Sequence, residues 1–444
     1  MQKKIPSRAL LKENHIKEIL TMPDFSVSDT VYKTAAEEFG TPFHLYDEKG
    51  LRETARAMKK AFAWNEGFKE YFAVKALPTP GILSILKDEG IGLDCSSMTE
   101  LMLAKAVGVL GKEIMFSANE MPPEEFVYAH ELGAYINLDD ITHIGIFKEY
   151  GIVPETVCMR FNPGGDFLIG THVMGNPGDA KYGMTREQLV LAAKELKALG
   201  VKAFGLHAFL SSNTQNADYY PTLAKLLFEI AKEVSVESGL HLDFVNLSGG
   251  IGIPYRPEDT PIDIAAIGSA VKAAYEAVGL AGVKVFTELG RYMTGPHGRL
   301  VTRAVHEKNI YKNYIGVDAS ACDLMRPAMY GAYHHIHIVD KRDIEASHIY
   351  DIVGALCENN DKFAIDRKLP EIKLGDLLVI HDTGAHGRAM GYNYNGRMRC
   401  QEVLLKEDDS LERIRRGETP KDYFATLDGC EIYKTLEKDP HFKG

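Results

Sequence analysis

The stretch Tyr71-Phe72-Ala73-Val74-Lys75-Ala76-Leu77-Pro78-Thr79-Pro80 decides how this chain is read. An apolar run of strand length ends abruptly in a lysine. The plain account of such a lysine is a solvated strand end. If the strand belongs to a parallel β/α barrel, Lys75 stands at its C-terminal end, where barrel enzymes carry their catalytic residues. A lysine amine placed there can form a Schiff base with a carbonyl.

Working outward, seven more short apolar or β-branched runs follow. They are Ile91–Asp94, Ile114–Phe116, Tyr135–Leu138, Val157–Phe161, Phe204–His207, Phe244–Leu247 and Val283–Phe286. Between them, Thr99–Val107, Glu187–Leu199 and Tyr220–Val234 place apolar residues at helical spacing. Alternating short strands and amphipathic helices predict parallel βαβ units. Eight units predict a (β/α)8 TIM barrel, with an open doubly wound sheet as the alternative, because periodicity alone does not reveal closure. From about Gly298 the texture becomes strand-rich and turn-rich: Leu300–Val305, His335–Val339 and Leu377–His381 read as strands. The expected division is a barrel over 46–297 and a mostly β domain from 1–45 and 298–444.

The bulk numbers narrow the function. A chain of 444 residues, 45% hydrophobic, is ample for more than one domain. Its formal net charge of −11 argues against nucleic-acid or anionic-membrane partners and leaves room for a local anion pocket. Six scattered cysteines form no C-x-x-C pair, so free thiols are expected. Met1–Leu20 lacks the apolar run of a signal peptide, and no segment approaches the roughly 20 apolar residues that span a bilayer. A cytoplasmic enzyme of small molecules is the expectation.

Ser248-Gly249-Gly250-Ile251-Gly252 follows the seventh run, where barrel phosphate sites are built by the loops after strands 7 and 8. Glycines there let backbone N–H groups approach a phosphate; a tight βα turn is the plain alternative. The eighth run leads into Glu288-Leu289-Gly290-Arg291. A carboxylate at that place can keep a pyridine nitrogen protonated, or simply make a salt bridge. Cys357 sits in Cys357-Glu358-Asn359-Asn360-Asp361, where acidic neighbours disfavour a thiolate, leaving a thiol able to donate a proton or a bystander. Arg326–Tyr330 and Gly384–Arg397 are rich in anion-binding groups. His334, His335 and His337 read as strand alternation, and no metal site is expected.

In order along the chain, YFAVKA, DCSSMTEL, GLHAFLSSN, NLSGGIGIPY, TELGR, RPAMY, LCENNDKF and MGYNYNGR resemble the fold-type III pyridoxal-phosphate (PLP) decarboxylases, most closely the diaminopimelate decarboxylases. The resemblance runs from about Pro42 to Leu427. It implies an alanine-racemase-like barrel with a β domain, PLP as cofactor, and a homodimer whose active sites are shared. It implies that Lys75 carries PLP, that Glu288 faces the pyridine nitrogen, and that Ser212, Gly249, Gly250, Gly252, Gly290, Arg291 and Tyr394 help to bind the cofactor. Arg291, Arg326, Tyr330, Glu358 and Tyr394 would bind substrate, and Cys357 would protonate the product from a second subunit. The implied reaction is α-decarboxylation of meso-diaminopimelate to L-lysine. The chain departs from the family pattern at several pocket positions. Phe209 replaces a ring-stacking histidine and can still stack through its π face. Ser211 also departs from the usual run, Ser248 replaces a Gly, Leu289 a Pro, and His386 a Tyr, while Met98 and Thr99 replace small residues. These departures keep other readings open: decarboxylation of a D-amino acid, ornithine or a carboxylated polyamine, a non-catalytic PLP-binding protein, or a racemase.

Overall fold

The computed structural model describes residues 27–165, 176–427 and 429–442. Residues 1–26, the start of the expected β domain, lie outside the described residues. The first strand, β1 (Phe43–Asp47), is set apart from those that follow it in sequence. Next come β2 (Lys69–Ala73), β3 (Gly92–Cys95), β4 (Ile114–Phe116), β5 (Tyr135–Leu138), β6 (Thr156–Arg160), β7 (Ala203–His207), β8 (His241–Asn246) and β9 (Lys284–Thr287). These eight pair in parallel in chain order, and β9 returns to β2 through Lys69↔Phe286, closing a barrel. The open-sheet alternative is thereby excluded.

Strand positions agree with the apolar runs to within a few residues, because a strand buried on both faces reads as a short continuous apolar segment. Three of the intervening helices, Met98–Ala106, Arg186–Leu199 and Ile264–Val278, are capped by the side chains of Ser97, Thr185 and Asp263. Thr185 and Gln188 form a reciprocal capping box for the helix Arg186–Leu199, which ends at the left-handed Gly200. Inside the barrel, Tyr71, Met115, Tyr135, Cys158, Phe244 and Phe286 form a buried plug beneath the mouth. Phe244 and Phe286 stack with ring centroids 4.4 Å apart.

The remaining strands are β10 (Gly298–Asn309), β11 (Asn313–Val317), β12 (Ile336–Ile338), β13 (His348–Val353), β14 (Lys362–Leu369), β15 (Leu377–Ile380), β16 (Gln401–Leu405) and β17 (Leu411–Arg415). They form a sheet ordered β14-β13-β11-β10-β1-β16-β17, with β15 bridging β10 and β12. The N-terminal strand β1 lies between β10, antiparallel, and β16, parallel. The protein is thus a TIM barrel joined to a mostly β second part. No helix among the described residues is long and apolar enough to cross a membrane.

Gly205 of β7 leaves the space that the Phe244 ring fills: a Cβ there would sit 2.1 Å from ring carbons. Gly205→Ala should overpack the plug and cost about 1–3 kcal/mol. Denaturation would read this as a clearly lowered unfolding midpoint; an unchanged midpoint would show that the plug relaxes freely.

Candidate active site

The barrel strands deliver their last residues to one cavity. It is lined by Lys75, Asp94, Ser117, Arg160, Phe209, Ser212, Asn213, Ser248, Gly249, Gly250, Glu288, Gly290, Arg291 and His386, with Ala73 and Ile251. Most of these lie at or just beyond the C-terminal ends of β2, β3, β4, β6, β8 and β9, the functional face of such barrels. Lys75 occupies a single 3-10 turn after β2, and its Nζ lies 5.6 Å from the centroid of the Phe209 ring.

Glu288 is the most heavily engaged group. Ser117 and Asn246 donate to Oε1 at 3.2 and 2.6 Å, and Ser248 donates to Oε2 at 3.3 Å. His207 Nε2 stands 3.1 Å from Oε2. Burial by itself would raise this carboxyl; His207, Asn246 and the Arg160 charge outweigh it and hold the group at about 2. The tautomer of His207 follows from its other nitrogen. Arg160 Nε donates to Nδ1 at 3.2 Å, so the ring proton belongs on Nε2, facing Glu288. Burial also lowers the His207 pKa, against the opposing pull of the Glu288 carboxylate. Arg160 in turn donates to Asp139 at 2.7 Å. A chain of buried polar groups therefore runs Asp139–Arg160–His207–Glu288.

Asp94 behaves in the opposite way. Burial, then the nearby Glu288 charge, push its carboxyl well above the carboxylate range, and Oδ1 has no hydrogen-bond partner. The Lys75 and Arg160 charges, in the same cavity, oppose that rise. His386 is pushed well below the usual histidine range by burial and by Arg291, Lys75 and Arg326.

Two departures noted in the sequence have local physical reasons. Ser248 adopts φ +58°, a conformation suited to glycine. It is held there because its N–H donates to Asn246 Oδ1 while its carbonyl accepts from Glu288 N and from the Tyr220 hydroxyl. Leu289 supplies an N–H that a proline lacks, and buried Glu70 accepts it at 2.7 Å.

The cavity brings together Lys75, Phe209, Ser212, Gly249, Gly250, Glu288, Gly290 and Arg291 of the expected site. Gly252 does not line it: its N–H donates to Thr214 O at 2.8 Å, and a Cβ there would meet Asn213 backbone at 2.9 Å. Arg326 is also absent from the lining and stands behind Arg291. Tyr330, Cys357, Glu358 and Tyr394 are exposed outside the cavity. Asp94, Arg160 and His207 escaped the sequence reading, although each lies in the last two residues of its strand, a position that flags them once the barrel is assumed.

Comparison with known proteins follows from this geometry. The model described as "Pyridoxal-dependent decarboxylase, pyridoxal binding domain" matches residues 48–295. Protein TabA of Pseudomonas amygdali pv. tabaci is 42% identical over 390 residues, 88% of this chain and 91% of that protein. The diaminopimelate decarboxylase of Methanothermobacter thermautotrophicus is 33% identical over 398 residues, 87% of this chain and 91% of that protein. Among solved structures, diaminopimelate decarboxylase from M. jannaschii in complex with L-lysine superposes with TM-score 0.82 at 29% identity, covering 90% of this chain and 94% of that one. The Helicobacter pylori enzyme complexed with L-lysine gives TM-score 0.81 at 26% identity, covering 89% and 99%.

The residues present fit pyridoxal phosphate. The amides of Gly249 and Gly250 are engaged by no protein acceptor among the described residues. A Cβ at Gly249 would sit 2.7 Å from the Glu288 carbonyl and 3.8 Å from the Phe209 ring, crowding the space between them. Free amides suit a phosphate, an ionised carboxylate suits a protonated pyridine nitrogen, and an aromatic face suits the ring.

Because Glu288 is held at about 2 instead of 4.5, its ionisation adds stability that is full above 4.5 and fades as pH falls through about 2. The unfolding midpoint of the wild type should exceed that of Glu288→Gln at neutral pH, and the gap should close between those two values. A gap independent of pH would show that the carboxyl is not ionised in the folded protein.

Proposed function

This chain belongs to the pyridoxal-dependent decarboxylases, and from that premise we propose that it decarboxylates meso-2,6-diaminopimelate to L-lysine. Pyridoxal 5′-phosphate is its cofactor. One observation carries the choice of substrate: the buried Arg326 lies close to the cavity-wall Arg291, whose charge acts on it more strongly than the opposing Asp382 carboxylate. Two clustered guanidiniums, one of them buried, are costly unless a ligand brings further negative charge. The distal carboxylate of diaminopimelate is such a ligand.

In this reading Lys75 would hold the cofactor covalently through its amine. Ser212 and the amides of Gly249 and Gly250 bind its phosphate, and Gly290 leaves room beside Ala76. Once bound, the cofactor supplies an electron sink for the pair left behind when CO2 departs. Glu288 stays ionised and holds a proton at the ring nitrogen. Phe209 stacks on the ring face and excludes water from it. Arg291, Arg326 and Tyr330 grip the distal carboxylate through charge-assisted hydrogen bonds, and Glu358 takes the distal ammonium. Cys357 donates the proton that replaces the carboxyl group. Cys357, Glu358 and Tyr394 reach the cavity from a second copy of the chain, so the working unit is a homodimer with shared sites. The barrel over 46–297 supplies the cofactor side, and 1–45 with 298–444 supplies the β domain.

A second reading keeps the chemistry and changes the amino acid. It is favoured by the greater identity to Protein TabA than to the diaminopimelate decarboxylases named above. It is favoured also by Phe209 and His386 in the cavity wall, which alter its hydrogen-bonding capacity. CO2 release from meso-diaminopimelate, abolished in Lys75→Ala, is the result expected of the first reading. Release only from another amino acid in a substrate panel would install the second. Under the first reading, Arg326→Ala should raise KM for diaminopimelate at least tenfold, since a charged hydrogen bond of about 1.5–3 kcal/mol is removed.

A further inference from the structure

Tyr255 and His334 have no part in the reading above, yet the two arginines are built around them. Tyr255, in the loop after β8, is 7% exposed, and His334, just before β12, is fully buried. Arg291 Nη1 donates to the Tyr255 hydroxyl. The Arg326 guanidinium lies over the Tyr255 ring, 4.6 Å from its centroid. One phenol therefore contacts both cations, by its oxygen on one side and its π face on the other. The two guanidiniums repel, and Arg291 lowers the Arg326 pKa, after burial, the larger cause. Tyr255 is the group that holds them near each other.

His334 fixes the direction of Arg326. Arg326 Nη1 lies 2.9 Å from His334 Nε2, and His334 Nδ1 lies 2.7 Å from the His381 carbonyl. An arginine can only donate and a carbonyl can only accept, so only the neutral Nδ1–H tautomer serves both. The groups facing the ring agree: burial, then Arg326, Arg291 and Arg367 lower its pKa to about 3, with the His381 carbonyl opposing. The Tyr255 ring packs edge-on against the imidazole at 5.1 Å. From outside, Arg367 Nη1 donates to the His334 carbonyl at 3.0 Å while its guanidinium covers Tyr333 at 4.0 Å. Arg326 thus has one nitrogen fixed by an imidazole and its face fixed by a phenol.

We propose that Tyr255 and His334 are positioning residues that hold Arg291 and Arg326 as a preformed clamp for the distal carboxylate of a dicarboxylic amino acid. This deepens the proposed function and rests on its assignment of Arg291 and Arg326 to the distal carboxylate. Neither residue touches the reacting carbon. Both act through the arginines, so their loss should weaken substrate binding and spare turnover.

The test uses holoenzyme with two readouts: calorimetric binding of pimelate, an unreactive dicarboxylate, and steady-state kinetics with meso-diaminopimelate. Tyr255→Phe keeps the ring and removes the hydroxyl. His334→Leu removes the acceptor for Arg326, whereas His334→Gln has a carbonyl to accept from Arg326 and an amide to donate to His381. Tyr255→Phe and His334→Leu should each weaken pimelate about tenfold and raise KM by a similar factor, with kcat within about twofold of wild type. His334→Gln should recover most of the loss, an outcome that a role in folding alone would not produce. Unchanged binding and KM in Tyr255→Phe and His334→Leu, no recovery in His334→Gln, or a fall in kcat alone would overturn the clamp. So would failure of the wild type to bind pimelate. If diaminopimelate is not decarboxylated but pimelate binding follows the expected order, the substrate reading falls and the clamp stands.

Discussion

An ionised carboxylate buried in the mouth of the barrel sets the terms for everything around it. Glu288 leaves water at a cost of several kcal/mol, and hydrogen-bond donors must repay most of that. They come from separate parts of the barrel: Ser117 after β4, Asn246 at the end of β8 and Ser248 beyond it, with the His207 ring at the end of β7 standing 3.1 Å away. Each is itself held. Asn246 accepts from Ser248 N, His207 is fixed by Arg160, and Arg160 is fixed by Asp139. Closure of the sheet brings these donors to one point, and the charge penalises any strand that drifts from register.

The same competition between burial and partnership assigns charge elsewhere in the cavity. Burial pushes the Asp94 carboxyl up, and the Lys75 and Arg160 charges offset it only in part. His334 and His386 are neutral because burial and neighbouring guanidiniums disfavour a second cation. Lys75, Arg160 and Arg291 line the same cavity as Glu288. A chain of net charge −11 thereby presents a cationic wall to a small anionic ligand.

Departures from the family pattern fall into two kinds. Ser248 and Leu289 are absorbed locally, the first by hydrogen bonds that hold a left-handed backbone, the second by an N–H that satisfies Glu70. Phe209 and His386 face the cavity itself, with Lys75 over the Phe209 ring. The first kind alters how the site is supported; the second alters what it meets.

The chain by itself determined the barrel and the residues at its mouth. Two-sided burial makes each parallel strand an apolar run, so the place of Lys75, Gly249, Gly250 and Glu288 at the barrel mouth is legible in the sequence, while the role expected of each rests on the family resemblance. Asp94, Arg160 and His207 carried the same positional signal and were missed, because nothing local distinguishes them from ordinary strand ends. Only the tertiary structure decided which glycine amides are free, which histidine nitrogen bears its proton, and what stands around Arg326. Gly252 looked like its neighbours until pairing with Thr214 engaged its amide. Tyr255, Arg291 and the pair Arg326 and His334 come from three segments, after β8, after β9 and before β12. Their contacts depend on through-space distance and on burial, and neither is encoded in the spacing of residues along the chain.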